Sequence, residues 1–148
     1  MTKVVLLVED NPSDEKLTLR AFRNSNLGNE IVVARDGQEA LDLLFATGRH
    51  ADEPAALPTV VLLDLKLPKV DGLEVLRRIR ADERTRLIPV VVLTSSKQDE
   101  DLVQSYALGA NAYVRKPVDF GAFVDATRSL GLFWLLHNEP PPSKRAPP

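Results

Sequence analysis

Five short, predominantly apolar runs recur along the chain, at 4–8, 31–34, 59–63, 89–93 and 112–115. They show little alternation of polar and apolar positions, the pattern of strands covered on both faces. Between the runs, apolar residues return every three or four positions, as on one side of a helix. A first helix is predicted from Pro12, capped by Asn11, with Leu17, Ala21 and Phe22 facing inward. A second follows Asp36-Gly37 and carries Ala40, Leu41, Leu44 and Phe45. The third opens on Asp71-Gly-Leu-Glu74, the spacing of a capping box, and carries Val75, Leu76 and Ile79. A fourth, capped by Ser96 or Asp99, holds Leu102, Val103, Tyr106 and Ala107 and closes at Gly109. A fifth is predicted from Asp119, with Phe120, Phe123, Val124, Thr127 and Leu130 on one stripe.

Strand and helix thus alternate five times. This predicts an α/β fold with a five-stranded parallel sheet, right-handed crossovers and helices on both faces. For five such units the flavodoxin-like (βα)5 order 2-1-3-4-5 is the natural arrangement. In a parallel sheet all carboxyl ends lie along one edge, and ligands bind outside that edge. The first, third, fourth and fifth runs end in Glu9-Asp10, Asp64, Thr94 and Lys116. The order 2-1-3-4-5 makes those four strands neighbours, so their polar side chains converge on one crevice. Any one of them alone is explained by capping a helix, starting a turn or facing solvent. Together they define a candidate site.

Three crowded carboxylates repel one another, and a hard divalent cation with oxygen ligands relieves them. Mg²⁺ fits such a set, whereas nothing there supplies the nitrogen or sulfur that zinc or copper prefers. A carboxylate acts as a nucleophile toward phosphorus in aspartyl-phosphate chemistry. Mg²⁺, the Lys116 ammonium and the Thr94 hydroxyl are then placed to meet phosphoryl oxygens.

Composition removes the competing classes. With 19 basic against 21 acidic residues and a formal net charge of -2, no nucleic-acid partner is expected. There is no cysteine, which excludes disulfides, thiol nucleophiles and thiolate metal sites. The two histidines, His50 and His137, stand in loop-like or terminal surroundings, so neither a triad nor a histidine metal cluster is expected. The first apolar run is soon broken by Glu9-Asp10, too short for a membrane span and unlike a secretion signal, so a cytoplasmic location is expected. Residues 47–58 form a loop longer than most α/β connections, either serving a partner or inert. Residues 1–136 are expected to form one domain with no second domain after it. Residues 137–148, rich in proline, are expected to be an extended or disordered tail.

On these residues the chain resembles the receiver domain of two-component response regulators over about residues 3 to 130. The resemblance rests on Glu9-Asp10, on Asp64 with Pro68 and Asp71-Gly72, on Thr94-Ser95, and on Ala112-Tyr-Val-Arg-Lys-Pro117. It implies that Asp64 takes a phosphoryl group from the phosphohistidine of a sensor histidine kinase. It implies that Glu9, Asp10, Asp64 and the backbone carbonyl of Lys66 arrange Mg²⁺. Thr94 and Tyr113 match the family's switch pair, and the bond before Pro117 matches a peptide that is usually cis in the family. A narrower likeness, to phytochrome-associated regulators that lack an output domain, lies in Asp64-Leu-Lys-Leu-Pro-Lys69, Leu93-Thr-Ser-Ser-Lys97, Ser105-Tyr-Ala-Leu108 and Phe133-Trp134. Lys66 and Ser96 stand at positions that tune autodephosphorylation in the family. Phe133 and Trp134, in an unusually apolar stretch, are the candidate surface for a homodimer.

Phosphorylation adds about 1.5 to 2 negative charges at Asp64, and the expected result is a switched surface on helix 4, strand 5 and helix 5. The rival reading is an aspartyl-nucleophile phosphatase or dehalogenase. Those enzymes usually carry a second acid two residues after the nucleophile and a cap domain; here that place holds Lys66, and no cap-sized insertion exists. No enzymatic activity beyond the chain's own phosphorylation and dephosphorylation is therefore expected. A phosphorylation-independent scaffold is the third reading, and the complete acidic set speaks against it.

Overall fold

The computed structural model describes residues 4–24, 30–54, 57–116 and the single positions 122, 125 and 129. Five parallel strands, β1 (Val4–Val8), β2 (Glu30–Ala34), β3 (Val60–Leu63), β4 (Val90–Thr94) and β5 (Ala112–Arg115), form one sheet of order β2-β1-β3-β4-β5. Four helices connect them: α1 (Pro12–Asn24), α2 (Gly37–Phe45), α3 (Gly72–Ala81) and α4 (Asp99–Ala107). Ala122, Asp125 and Ser129 are helical too; the rest of the predicted fifth helix lies outside the described residues. The order and the fold class are those the alternation of runs predicts. Among the described residues no helix is long and apolar enough to cross a membrane.

The absence of polar alternation in the central runs has a direct cause. β3 and β4 are buried at every position and β1 at all but its first, while the edge strands β2 and β5 are mostly half-buried. Leu6, Val8, Val61, Leu63, Val90 and Val92 pack with Ala40, Leu41 and Leu44 of α2 and Val75, Leu76 and Ile79 of α3. Val5, Leu7, Val60, Leu62 and Val91 point to the opposite face and meet Phe22 of α1. Each fully buried Val or Leu contributes about 1.5–3 kcal/mol relative to exposure, so the two layers dominate the stability of the fold.

Side-chain caps close three of the four helix starts, those at Asn11 and Asp71 as predicted and one at Asp36 in addition. The Asn11 side chain accepts from the amides of Ser13 and Asp14 at 2.9 and 3.1 Å. Asp36 and Asp71 accept from Glu39 and Glu74 at 2.7 and 3.0 Å. The fourth start departs from expectation. Gln98 occupies the cap position with no side-chain bond, and Asp99 is the first helical residue, paired with Arg115 at 3.4 Å.

Two predicted inner faces are also corrected. On α1 the inward pair is Thr18 and Phe22, with Leu17 half-buried; the Ala21 side chain lies outside the described residues. On α4 the inward pair is Asp101 and Ser105, both buried, while Val103 and Tyr106 are 65% and 52% exposed. An apolar stripe cannot show which side of a helix its polar neighbours will prefer when those neighbours find partners inside. The long 47–58 loop opens with a single 3₁₀ turn at Gly48–His50, and His50 there pairs with Glu53 and with Glu39 of α2.

Candidate functional site

Strand register places the site. Val8 is paired with Ala34 on one side and Leu63 on the other, so the chain leaves β1 and β3 side by side, at Glu9 and Asp64. The ladder continues past the last paired residues. The amide of Glu9 donates to Ala34 at 2.9 Å, that of Asp64 to Val8 at 3.0 Å and that of Lys116 to Thr94 at 2.7 Å. These bonds hold the first residue beyond each strand as firmly as the strands themselves.

The turns after β2 and β3 are fixed by close backbone packing. A Cβ on Gly72 would lie 2.2 Å from the carbonyl oxygen of Asp64, and one on Gly37 would lie 1.7 Å from that of Val70. Only glycine admits such approaches. Lys69, between them, adopts a left-handed φ of 68 and pairs with Asp36 at 3.5 Å, tying the β3–α3 turn to the start of α2.

Glu9, Asp10 and Asp64 each present a carboxylate oxygen within 4.8 Å of the others, with Asp10 exposed and the other two buried. Asp64 is oriented by donors on both sides. Its Oδ1 accepts from the Leu65 amide at 2.7 Å and its Oδ2 from Lys116 Nζ at 3.2 Å. The Lys116 side chain is only 6% exposed and also donates to Glu9 Oε1 at 2.5 Å and Asp14 Oδ2 at 2.8 Å. An ammonium has three protons, and here each has a carboxylate.

The charge balance decides what the site can hold. Three carboxylates, Glu9, Asp14 and Asp64, pair with one ammonium, and a fourth, Asp10, lies beside Glu9 and Asp64. Burial pushes Glu9 up to about 7, against the pull of the Lys116 hydrogen bond and charge, and the neighbouring Asp64 adds to the rise. For Lys116, burial alone favours the neutral amine. Hydrogen bonds to Asp14 and Glu9 and the charges of Asp64 and Glu9 outweigh it and hold the ammonium above its ordinary value. The surplus of negative oxygen, partly buried and without a nitrogen or sulfur donor, fits a small hard dication such as Mg²⁺.

Thr94 is fully buried at the end of β4, its hydroxyl accepting from the Ser96 amide at 3.3 Å. Tyr113 stands beside Val92 in the register and packs against the core on the α2–α3 side of the sheet. Its hydroxyl is shielded from solvent and has no hydrogen-bond partner among the described residues. The Lys66 ammonium pairs with Asp101 of α4 at 3.4 Å. A cleft of about 360 Å³ opens beside the acidic cluster, with Asp10, Lys66 and Asp101 on its walls. Pro117 and its peptide bond, and Phe133 and Trp134, lie outside the described residues.

Two groups at this edge have no counterpart in the sequence reading. Asp14 takes the third Lys116 proton, and Asp101 gathers Lys66 and Ser96. For Asp14 a signal existed: an acid in the first turn of a helix whose start adjoins Asp10. For Asp101 there was none, because its position reads as solvent-facing in an acidic first turn.

A doubly wound parallel sheet thus carries an acidic cluster and one lysine with a buried side chain at its carboxyl edge, and comparison with known proteins gives the family. Residues 5–128 match the response regulator receiver domain, and the chain belongs to that family. It is 44% identical over 138 residues to FilR2 of Methanothrix harundinacea, a protein named for methanogenesis regulation, covering 93% of this chain and 87% of that one. Response regulator Rcp1 of Synechocystis is 38% identical over 133 residues, covering 90% and 89%. Its Mn(2+)-bound structure superposes with a TM-score of 0.88, covering 95% of this chain and 99% of that one. The phosphorylated cyanobacterial phytochrome response regulator RcpA, 38% identical, superposes at 0.89, covering 96% and 100%. The chain is thus a receiver domain close to phytochrome response regulators.

Proposed function

We propose that this receiver accepts a phosphoryl group on Asp64 from the phosphohistidine of a sensor histidine kinase, in the cytoplasm and with Mg²⁺. The observation that carries the reading is the meeting of Glu9, Asp10 and Asp64 around Lys116 at the end of the central strands. An Asp64 carboxylate oxygen attacks phosphorus in line. A P–O bond forms, the P–N bond breaks, and the imidazole leaves with its electron pair and takes a proton from solvent. Glu9, Asp10, Asp64 and the Lys66 carbonyl would hold Mg²⁺, which supplies charge neutralisation for the phosphoryl oxygens. Lys116 exchanges one of its three carboxylates for a phosphoryl oxygen, and its bond to Asp64, at 3.2 Å, is the longest of them.

The Thr94 hydroxyl donates to another phosphoryl oxygen, and Tyr113 fills the space that movement of the β4–α4 turn alters. The surface of α4, β5 and the helix that follows changes with it. That surface is read by another protein or by a second copy of the chain, with Phe133 and Trp134 contributing to a homodimer. A phytochrome-type kinase is the partner favoured by the resemblance to RcpA and Rcp1.

The test is exposure to acetyl phosphate, with and without Mg²⁺, followed by intact-mass measurement of wild type and Asp64→Asn. Wild type is expected to gain one phosphoryl group only with Mg²⁺, and Asp64→Asn to gain none. No Mg²⁺-dependent gain in wild type overturns the reading.

A further inference from the structure

The inner face of α4 carries an acid where a helix of this fold would bury an apolar residue. Asp101 is 8% exposed, and its Oδ2 accepts from the Ser96 hydroxyl at 2.5 Å and lies 3.4 Å from Lys66 Nζ. The Ser105 hydroxyl fixes the backbone beneath it, donating to the Asp101 carbonyl at 2.7 Å. One carboxylate therefore gathers a side chain from the β3–α3 turn and one from the β4–α4 turn. Lys66 and Asp101 both line the cleft that adjoins the acidic cluster. Lys66 is two residues from Asp64, and its amide faces the Asp64 carboxylate at 3.5 Å. Its ammonium is within reach of a group carried on Asp64, yet it is turned toward α4.

We infer that Asp101 is a positioning residue that holds the Lys66 ammonium and the Ser96 hydroxyl away from the phosphoryl group, and so keeps that group short-lived. The inference rests on the reading of Asp64 as the phosphoacceptor. In hydrolysis a water oxygen bonds to phosphorus, the Asp64 O–P bond breaks with its electrons returning to the carboxylate, and the water proton passes to solvent. Phosphate is released. A freed Lys66 ammonium would pair with the phosphoryl oxygens and stand in the path of that water. A freed Ser96 hydroxyl would add a donor to the same oxygens. With Asp101 in place, both groups are occupied and the cleft stays open to water.

The experiment follows loss of phosphoprotein after removal of acetyl phosphate, with Mg²⁺ present, in wild type, Asp101→Asn, Asp101→Glu and Asp101→Asn combined with Lys66→Ala. Asp101→Asn is expected to lengthen the lifetime about fivefold, the effect one partly screened ion pair carries. Asp101→Glu, which keeps the charge, should return it to within about twofold of wild type. The combined variant should lose most of the lengthening. In the metal-free proteins, Asp101→Asn is expected to move the amide resonances of Lys66 and Ser96 while leaving those of Val75 and Ile79 in place. Should Asp101→Asn fail to fold, Ser96→Ala tests the same idea: the hydroxyl is already withheld and Asp101 still holds Lys66, so the lifetime should stay within about twofold of wild type. An equal or shorter lifetime in Asp101→Asn, a lengthening that persists with Lys66→Ala, or a change beyond about twofold in Ser96→Ala overturns the inference. Absence of any phosphoprotein in wild type would instead overturn the function proposed above.

Discussion

α3 and α4 lie on the same side of the sheet, yet they are held by opposite means. α3 buries Val75, Leu76 and Ile79 completely and has an Asp71 cap. At its other end Arg80 donates to the carbonyls of Ile88 and Gly109 and to the Asn111 side chain at 2.7–2.8 Å. α4 has no side-chain cap, turns Asp101 and Ser105 inward, and leaves Val103 and Tyr106 in solvent. Apolar packing is stabilising over a short range and rigid. A polar contact can be exchanged for another of similar strength, including one to water. The helix beside the site's third strand is thus an anchor, and the helix after the fourth is held by polar contacts that can be exchanged.

The contrast can be broken from either side. The largest expected effect is Ile79→Ala, which should cost about 2–5 kcal/mol in denaturant unfolding, because it opens a cavity in the packed layer. A loss below about 1 kcal/mol would mean that α3 is not the anchor. Arg80→Met keeps the aliphatic stem and leaves the carbonyls of Ile88 and Gly109 short of donors. About 2 kcal/mol of destabilisation is expected, measured the same way. Asp71→Ala removes one cap bond and should cost about 1 kcal/mol. On α4, Val103→Ser with Tyr106→Ser should stay within about 0.5 kcal/mol. A larger loss, growing with protein concentration, would show that this face is covered by a second copy.

The smallest effect concerns the outer surface of α3. Hydrogen bonds from Arg77, then Arg78, hold Glu74 down at about 2, from an ordinary 4.5. Lowering a carboxylate in the folded state means that its contribution is present above about 4.5 and is lost as pH falls through about 2. Glu74→Gln should therefore differ slightly from wild type near neutrality, and the difference should vanish at the acid end of a pH series of unfolding midpoints.

Much of the fold was legible because parallel strands announce themselves. Five apolar runs with helical patterns between them leave few topologies that obey right-handed crossover. The four site-bearing positions were legible for the same reason: Glu9, Asp64, Thr94 and Lys116 each follow a run whose end must lie on one edge. What escaped was the allocation of partners. Lys116 read as a group waiting for a phosphoryl oxygen, and it is found saturated by Glu9, Asp14 and Asp64. Leu102, Val103, Tyr106 and Ala107 read as the inner stripe of α4, and Asp101 and Ser105 hold that place.

The chain by itself determined the order of elements, the crowding of carboxylates at one edge and the glycines that let the turns close there. These depend on local periodicity and on strand direction, both written in consecutive residues. Only the tertiary structure decided which charges meet. Asp14 and Lys116 are 102 positions apart, and Lys66 and Asp101 belong to different turns. A contact between distant residues depends on register, helix rotation and side-chain reach together, and no stretch of sequence contains all three. The edge was written in the chain, and the wiring of its charges was settled by folding.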